Sequence, residues 1–102
     1  MIFRVLSVAD GEAIAATIWY EDQQPGLADE FLVQMHQAYE SIRRNPAGSP
    51  LLEYYAGPHE IRRCLMQRFR YAVIYLCRPD EIVIIAVAHT RRRPLYWLDR
   101  LV

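Results

Sequence analysis

Seven arginines, one histidine and two aromatics crowd the second half of this chain. Arg62 and Arg63 sit in one apolar segment and Arg68 and Arg70 just beyond it; His89, Arg91, Arg92, Arg93, Tyr96 and Trp97 belong to the stretch AVAHTRRRPLYW. Guanidinium groups hold carboxylates and phosphates through planar, bidentate contacts. Beside stackable rings and a titratable imidazole, they could bind RNA, with His89 moving a proton during phosphodiester cleavage. A plainer reading stands beside this one. Arginines at strand ends keep those ends solvated, and His89 sits half-buried and hydrogen-bonded.

Other chemistries find little support. His36, His59 and His89 fall in three separate segments, without C-x-x-C or H-x-x-x-H spacing, so no metal site is expected. Ser7, Ser41 and Ser49 lack the G-x-S-x-G context of a nucleophile elbow. The four glycines are scattered and form no phosphate loop, so no cofactor is expected. All twelve basic residues are arginine, which leaves no lysine for Schiff-base chemistry.

The elements that must position the arginines read as follows. IFRVLSV is a first strand, followed by a helix capped by Asp10, with Glu12 in its first turn. Ile14, Ala15, Ile18 and Trp19 form its apolar stripe, and QPG at 24–26 ends it. A second helix over 27–44 places Ala28, Phe31, Leu32, Met35, Ala38, Tyr39 and Ile42 on one side. Asp29 and Glu30 suit the start of its dipole and Arg43 and Arg44 its end. Residues 45–60, with three prolines and two glycines, are a long loop or a short strand within loops. EIRRCLMQ, FRYAVIYLC and EIVIIAVAHT then form an antiparallel meander with the middle strand central, since it is apolar on both faces. A turn at RPDE sets Tyr75 opposite Ile84 and Val73 opposite Ala86. Alternation puts His89 and Arg91 with Val83, Ile85 and Val87. Pro94 ends the last strand, and LYWLDRLV is a short terminal segment. The expected fold is α+β, β-α-α-β-β-β, with a helical hairpin packed on one face of a small antiparallel sheet.

At 102 residues and 53% hydrophobic, the chain fits one domain with a real core. Its longest apolar run, Ile82 to Ala88, is too short to span a membrane. The N-terminus carries no signal-peptide pattern, so a cytoplasmic location is expected. Cys64 should face about residue 73 rather than Cys77, leaving both thiols free. The zero net charge hides an imbalance. Residues 1–53 hold eight acids and three arginines, whereas residues 54–102 hold four acids and nine arginines. The basic half suits an anionic partner.

Three blocks, WYEDQQPGLADEFL, IRRCLMQRFRYAVIYL and IIAVAHTRRRPLYW, occur in order over residues 2 to about 100. Together they resemble the ParE/RelE toxin superfamily, also called plasmid stabilisation proteins. The resemblance implies a single toxin domain over residues 1–102, belonging to a type II toxin–antitoxin pair. It also implies a small acidic, helix-rich antitoxin that wraps the toxin in a hetero-oligomer. RelE-type members cut mRNA on the ribosome with basic residues on the sheet, an arginine after the last strand and a C-terminal aromatic. ParE-type members inhibit DNA gyrase and lack that set. Here Arg63 and Arg91 match the ribonuclease pattern. Ala72 stands where those enzymes carry arginine, the sheet lysines are absent, and Trp97 takes the place of the tyrosine, with Tyr96 adjacent. The resemblance therefore favours a growth inhibitor that binds DNA gyrase. Arg62, Arg63, Arg68, Arg70, Arg91, Arg92, Arg93 and Trp97 are then the target- or antitoxin-binding residues. The alternatives are a ribosome-dependent endoribonuclease using Arg63, His89, Arg91 and Tyr96, and an inactive member that only pairs with its antitoxin.

Overall fold

A computed structural model describes residues 1–101. The elements are β1 (Ile2–Val5), α1 (Ser7–Gln23), α2 (Leu27–Arg44), a 3-10 turn (Pro46–Gly48), β2 (Glu60–Leu65), β3 (Tyr71–Cys77), β4 (Glu81–His89) and a 3-10 turn (Leu98–Leu101). The order is the predicted β-α-α-β-β-β, an α+β fold. The four strands lie in the order β1-β4-β3-β2. β2, β3 and β4 form the antiparallel meander, and β1 runs parallel beside β4, so the sheet is mixed rather than wholly antiparallel.

α2 spans the predicted residues and buries Phe31, Met35, Ala38 and Ile42, one residue per turn. Gly26 links the helices at φ 96°, a left-handed conformation that only glycine adopts without steric cost. The Glu21 carboxylate at the end of α1 accepts the N–H groups of Gly26 and Ala28 at 3.1 Å each. The first helix thereby caps the second with its own side chain.

α1 departs from expectation. It starts at Ser7, directly after β1, with Leu6 at the N-cap and Asp10 already inside the first turn. The predicted stripe faces solvent: Ile14, Ile18 and Trp19 are 53%, 60% and 56% exposed. The buried face is Ala9, Ala13 and Ala16. Small side chains let the helix come close to the sheet and to α2, and close approach wins over the greater apolar area of the isoleucines.

The β3–β4 register is as predicted near the turn, with Tyr75 opposite Ile84, and then slips by one residue. Val73 lies opposite Val87, not Ala86, because β4 bulges at Ile85. The bulge resets the alternation. Ile82, Ile84 and Val87 join the core under the helices, whereas Val83, Ile85, Ala86 and Ala88 face the other side. His89 pairs with Tyr71 on the helical face, apart from Val83 and Ile85, contrary to the predicted alternation.

The second face of the sheet is covered as well. Leu52 and Tyr55 of the 45–59 loop and Leu95, Tyr96 and Leu101 of the C-terminal strap pack on it around Trp97, which is 3% exposed. Within that loop, Leu51 makes a single bridge to Arg62, a remnant of the expected short strand. Fully burying a large apolar side chain on this face, such as Ile85, contributes about 1.5–3 kcal/mol. Both cysteines are free, and Cys64 lies opposite Val73 as predicted. No described helix is long and apolar enough to cross a membrane.

Candidate functional site

Two clefts flank the end of the sheet where β4 finishes. On the strap face, the small side chains of Ala72 and Ala88 leave a depression of about 90 Å³. Tyr54 and Leu52 wall it on the loop side, Tyr96 and Trp97 on the strap side, and Arg63, Arg92 and Arg93 surround its mouth. On the helical face, an open groove of about 580 Å³ runs between the end of α1 and the β2–β3 turn. Trp19, Leu27 and Phe69 line it, with Arg68 and Arg70 at one side. Its floor is an aromatic cluster in which Tyr20 meets Phe69 edge-on at 4.8 Å and Phe31 at 5.6 Å. His89 borders both clefts. Its ring stands edge-on to Tyr71 at 5.3 Å, and its Nδ1 accepts the Arg91 N–H at 3.1 Å.

Beneath the strap lies a polar hub that the sequence reading did not find. β1 ends at Val5, opposite Ile84, so the rest of β4 has no strand neighbour on that side. Side chains take its place. The Glu12 carboxylate accepts the Val87 N–H at 3.1 Å, and Arg100 donates to the Ile85 carbonyl at 3.0 Å. Arg100 also grips Glu12 through two bonds, 2.9 and 3.1 Å long. The Tyr96 hydroxyl donates to the same carboxylate at 2.5 Å, and Arg92 lies 3.7 Å from it. Arg92 stacks over the Tyr96 ring at 3.9 Å. Burial, followed by the bond to Glu12, pushes the Tyr96 phenol well above its ordinary range. The Glu12 bond raises Arg100 as well.

The predicted site residues divide accordingly. Arg63, Arg92, Arg93, Tyr96 and Trp97 meet at the strap-side cleft, and Arg68 and Arg70 lie at the groove. Arg68 is in the left-handed region at φ 69° and pairs with Glu30 at 3.3 Å. Arg62 faces away from Arg63, because neighbouring strand residues point to opposite sides. It donates to the Ser49 carbonyl at 2.6 Å and to Glu60 at 2.7 Å, so it ties down the loop. Arg91 is exposed and lines neither cleft. Of the four ribonuclease candidates, Arg63, His89 and Tyr96 border the strap-side cleft, with the Tyr96 hydroxyl bonded to Glu12, and Arg91 lies outside it. Among the described residues, no cluster of three His, Cys, Asp or Glu side chains could hold a metal.

Residues 1–94 match the family described as the ParE toxin of the type II toxin–antitoxin system parDE. The chain belongs to the ParE toxin family. A solved structure titled "Chromosomal ParDE TA system from P. aeruginosa" shares its fold with a TM-score of 0.74 at 14% identity, covering 87% of this chain and 95% of that one. No curated protein sequence matches the chain. The ParE match reaches Pro94, so Arg63, His89 and Arg91 to Arg93 lie inside it, while Tyr96, Trp97 and Arg100 lie beyond its end. Glu12 and Arg100 carry no local signal for their pairing. One reads as an ordinary helix acid and the other as a charge near a terminus.

Proposed function

We propose that this ParE-family toxin arrests growth by binding DNA gyrase in the cytoplasm, without a catalytic step, and that its cognate antitoxin neutralises it. The observation that carries the reading is the Tyr96 hydroxyl, bonded to Glu12 at 2.5 Å. A ribonuclease of the kind the resemblance implies uses a C-terminal aromatic beside its basic residues, and a tyrosine there serves proton transfer only with a free hydroxyl. The tyrosine available here is committed to a carboxylate and resists ionisation. Beside the His89 imidazole, the groups around the clefts are suited to binding: guanidiniums at Arg63, Arg68, Arg70, Arg92 and Arg93, and aromatic walls at Tyr54, Trp19 and Trp97. In this reading residues 1–102 act as one toxin domain.

Induced expression without the antitoxin tests it. Growth arrest with intact transcripts and inhibited supercoiling by purified gyrase is the expected result. Arrest accompanied by transcript cleavage at the ribosomal A site would overturn it in favour of the ribonuclease. No arrest at all would leave a chain that only pairs with its antitoxin.

A further inference from the structure

The outer face of α1 is apolar and bare. Val8, Ile14, Ile18 and Trp19 all lie on this helix, and all are exposed. A helix apolar on one face is at home on a protein surface, whereas one apolar all round belongs in an interior. α1 is of the second kind: Ala9, Ala13 and Ala16 face the core, and Ile14 and Ile18 face away from it. Its outer face is built to be covered.

That face also has relief. Gly11 and Ala15 lie one turn apart, beside Ile14 and Ile18. Glycine inside a helix is destabilising relative to alanine, and Gly11 has no positive φ to account for it. A Cβ there would meet nothing within 4 Å, so no close contact within the chain requires it either. Gly11 is an open notch, and Ile18, two turns further along the same helix, is a knob of the size to fill it. The two ends of α1 differ in charge. Its start has no side-chain cap, because Leu6 offers none. Its end carries Asp22, which has no ion pair among the described residues, and the helix contains no basic residue.

We propose that two copies of the toxin pair through α1, antiparallel about a two-fold axis between Ile14 and Ala15. Each Ile18 enters the other copy's Gly11 notch, and the two Ile14 side chains meet beside the axis, across from the two small Ala15 residues. Each Asp22 comes to the uncapped start of the other copy's helix, where an anion is favoured. A second copy is the occupant because one register fills both notches and matches both helix ends, as an isologous contact must. An acidic antitoxin helix would instead bring like charge to a helix that has no base of its own. One helix per copy makes a small interface, below about 1,200 Å² in total, so the dimer is micromolar and separates on dilution. The pairing is a property of the toxin alone and rests on neither the gyrase nor the antitoxin reading.

Sedimentation of the purified toxin without antitoxin tests it. The expected mass rises from one chain toward two with concentration. Trp19 emission should shift to the blue as the dimer forms, since Trp97 is already buried. Gly11→Leu fills the notch and Ile18→Ala removes the knob. Each change acts twice in the dimer and should weaken association roughly a hundredfold. Gly11→Leu also places a good helix former at an exposed position, so the monomer stays folded by circular dichroism. Joining Gly11→Leu with Ile18→Gly exchanges knob and notch and should recover most of the affinity. Ile14→Cys should cross-link two copies under mild oxidation, whereas Val33→Cys on the exposed side of α2 should not. A toxin that stays monomeric at hundreds of micromolar overturns the proposal. So does a dimer that survives Gly11→Leu and leaves Ile14→Cys uncross-linked, which would place the contact on another face. A monomer whose Trp19 shifts only when purified antitoxin is added also overturns it and gives the α1 face to the antitoxin.

Discussion

Glu12 and Arg100, 88 residues apart in sequence, meet in a bidentate ion pair whose side chains are each 14% exposed. The pair does the work of a missing strand. Glu12 satisfies the Val87 N–H and Arg100 satisfies the Ile85 carbonyl on either side of the bulge, where β1 has already ended. Without them, those backbone groups would lie beneath the strap with no protein partner.

Replacing Glu12 by alanine should therefore cost about 3 kcal/mol, because it strands a half-buried guanidinium as well as the backbone groups. Glu12→Gln should cost less, since an amide oxygen still accepts one N–H. Joining Glu12→Ala with Arg100→Met should recover part of the loss. Urea midpoints at constant slope are the measurement. Equal, additive losses in the double variant would show that the two side chains act independently.

Arg62 and Arg63 are adjacent and should behave oppositely. Arg62→Ala removes bonds to the Ser49 carbonyl and Glu60 and should lower stability by about 1–2 kcal/mol while antitoxin affinity is kept. Arg63→Ala should leave thermal unfolding nearly unchanged and weaken antitoxin binding. Thermal melts and titration calorimetry on both variants would show the crossing.

Gly26→Ala isolates a backbone cost. A Cβ there would meet nothing within 4 Å, so the only strain is φ 96°. A loss of about 1 kcal/mol is expected, and Gly26→Asn should lose less. If alanine is neutral in chemical denaturation, the turn between the helices is not held in the left-handed region.

The toxin should lose stability in alkali. Burial, with help from Glu60, raises the Cys77 thiol from 9.0 to about 11 in the folded chain. Burial and Asp10 raise the Tyr39 phenol from 10.0 to about 12. In both cases the native state favours the neutral form, so the unfolded chain gives up its protons first. The contribution is complete below pH 9 and is lost as pH rises through 9 to 11 for Cys77 and 10 to 12 for Tyr39. Cys77→Ala should flatten the first window and Tyr39→Phe the second. The Tyr39 hydroxyl is buried without a partner among the described residues, so Tyr39→Phe should also raise neutral-pH stability by about 1 kcal/mol. Melting temperatures across the alkaline range test both.

Tyr96→Phe should leave growth arrest intact and cost about 1 kcal/mol in stability, as expected for a hydroxyl that only braces Glu12. Loss of arrest in a variant that is folded by circular dichroism would return Tyr96 to a direct role.

The meander and α2 were legible because their signals are local. Uniformly apolar strands joined by RPDE fix Tyr75 opposite Ile84, and a one-per-turn stripe fixes α2. α1 was misread because it carries two stripes, and periodicity does not say which faces the core. The alanine stripe won through close approach, a property of the helix's neighbours rather than of its own sequence. The bulge at Ile85 falls within VIIAVA, where every residue suits either face, so nothing marks the slip that moves His89. Of the candidate site, the arginines were visible as residue types. Their division between Arg62 and Arg63, and between Arg91 and Arg93, came only with the sheet's faces and the strap.

The parallel pairing of β1 with β4 also sets a clock. Ile2 finds its partner at Glu81, so the first strand is made long before the residues it must join. At about 5–20 residues per second, translation leaves that strand without its partner for roughly 4–16 s. Its exposed Ile2 and half-buried Phe3 and Val5 stay open to solvent or to other chains throughout. The helical hairpin can form early from local contacts, whereas closure of the sheet waits for β4. The nascent chain is therefore most open to capture by a chaperone or a partner during the interval before the toxin's fold is complete.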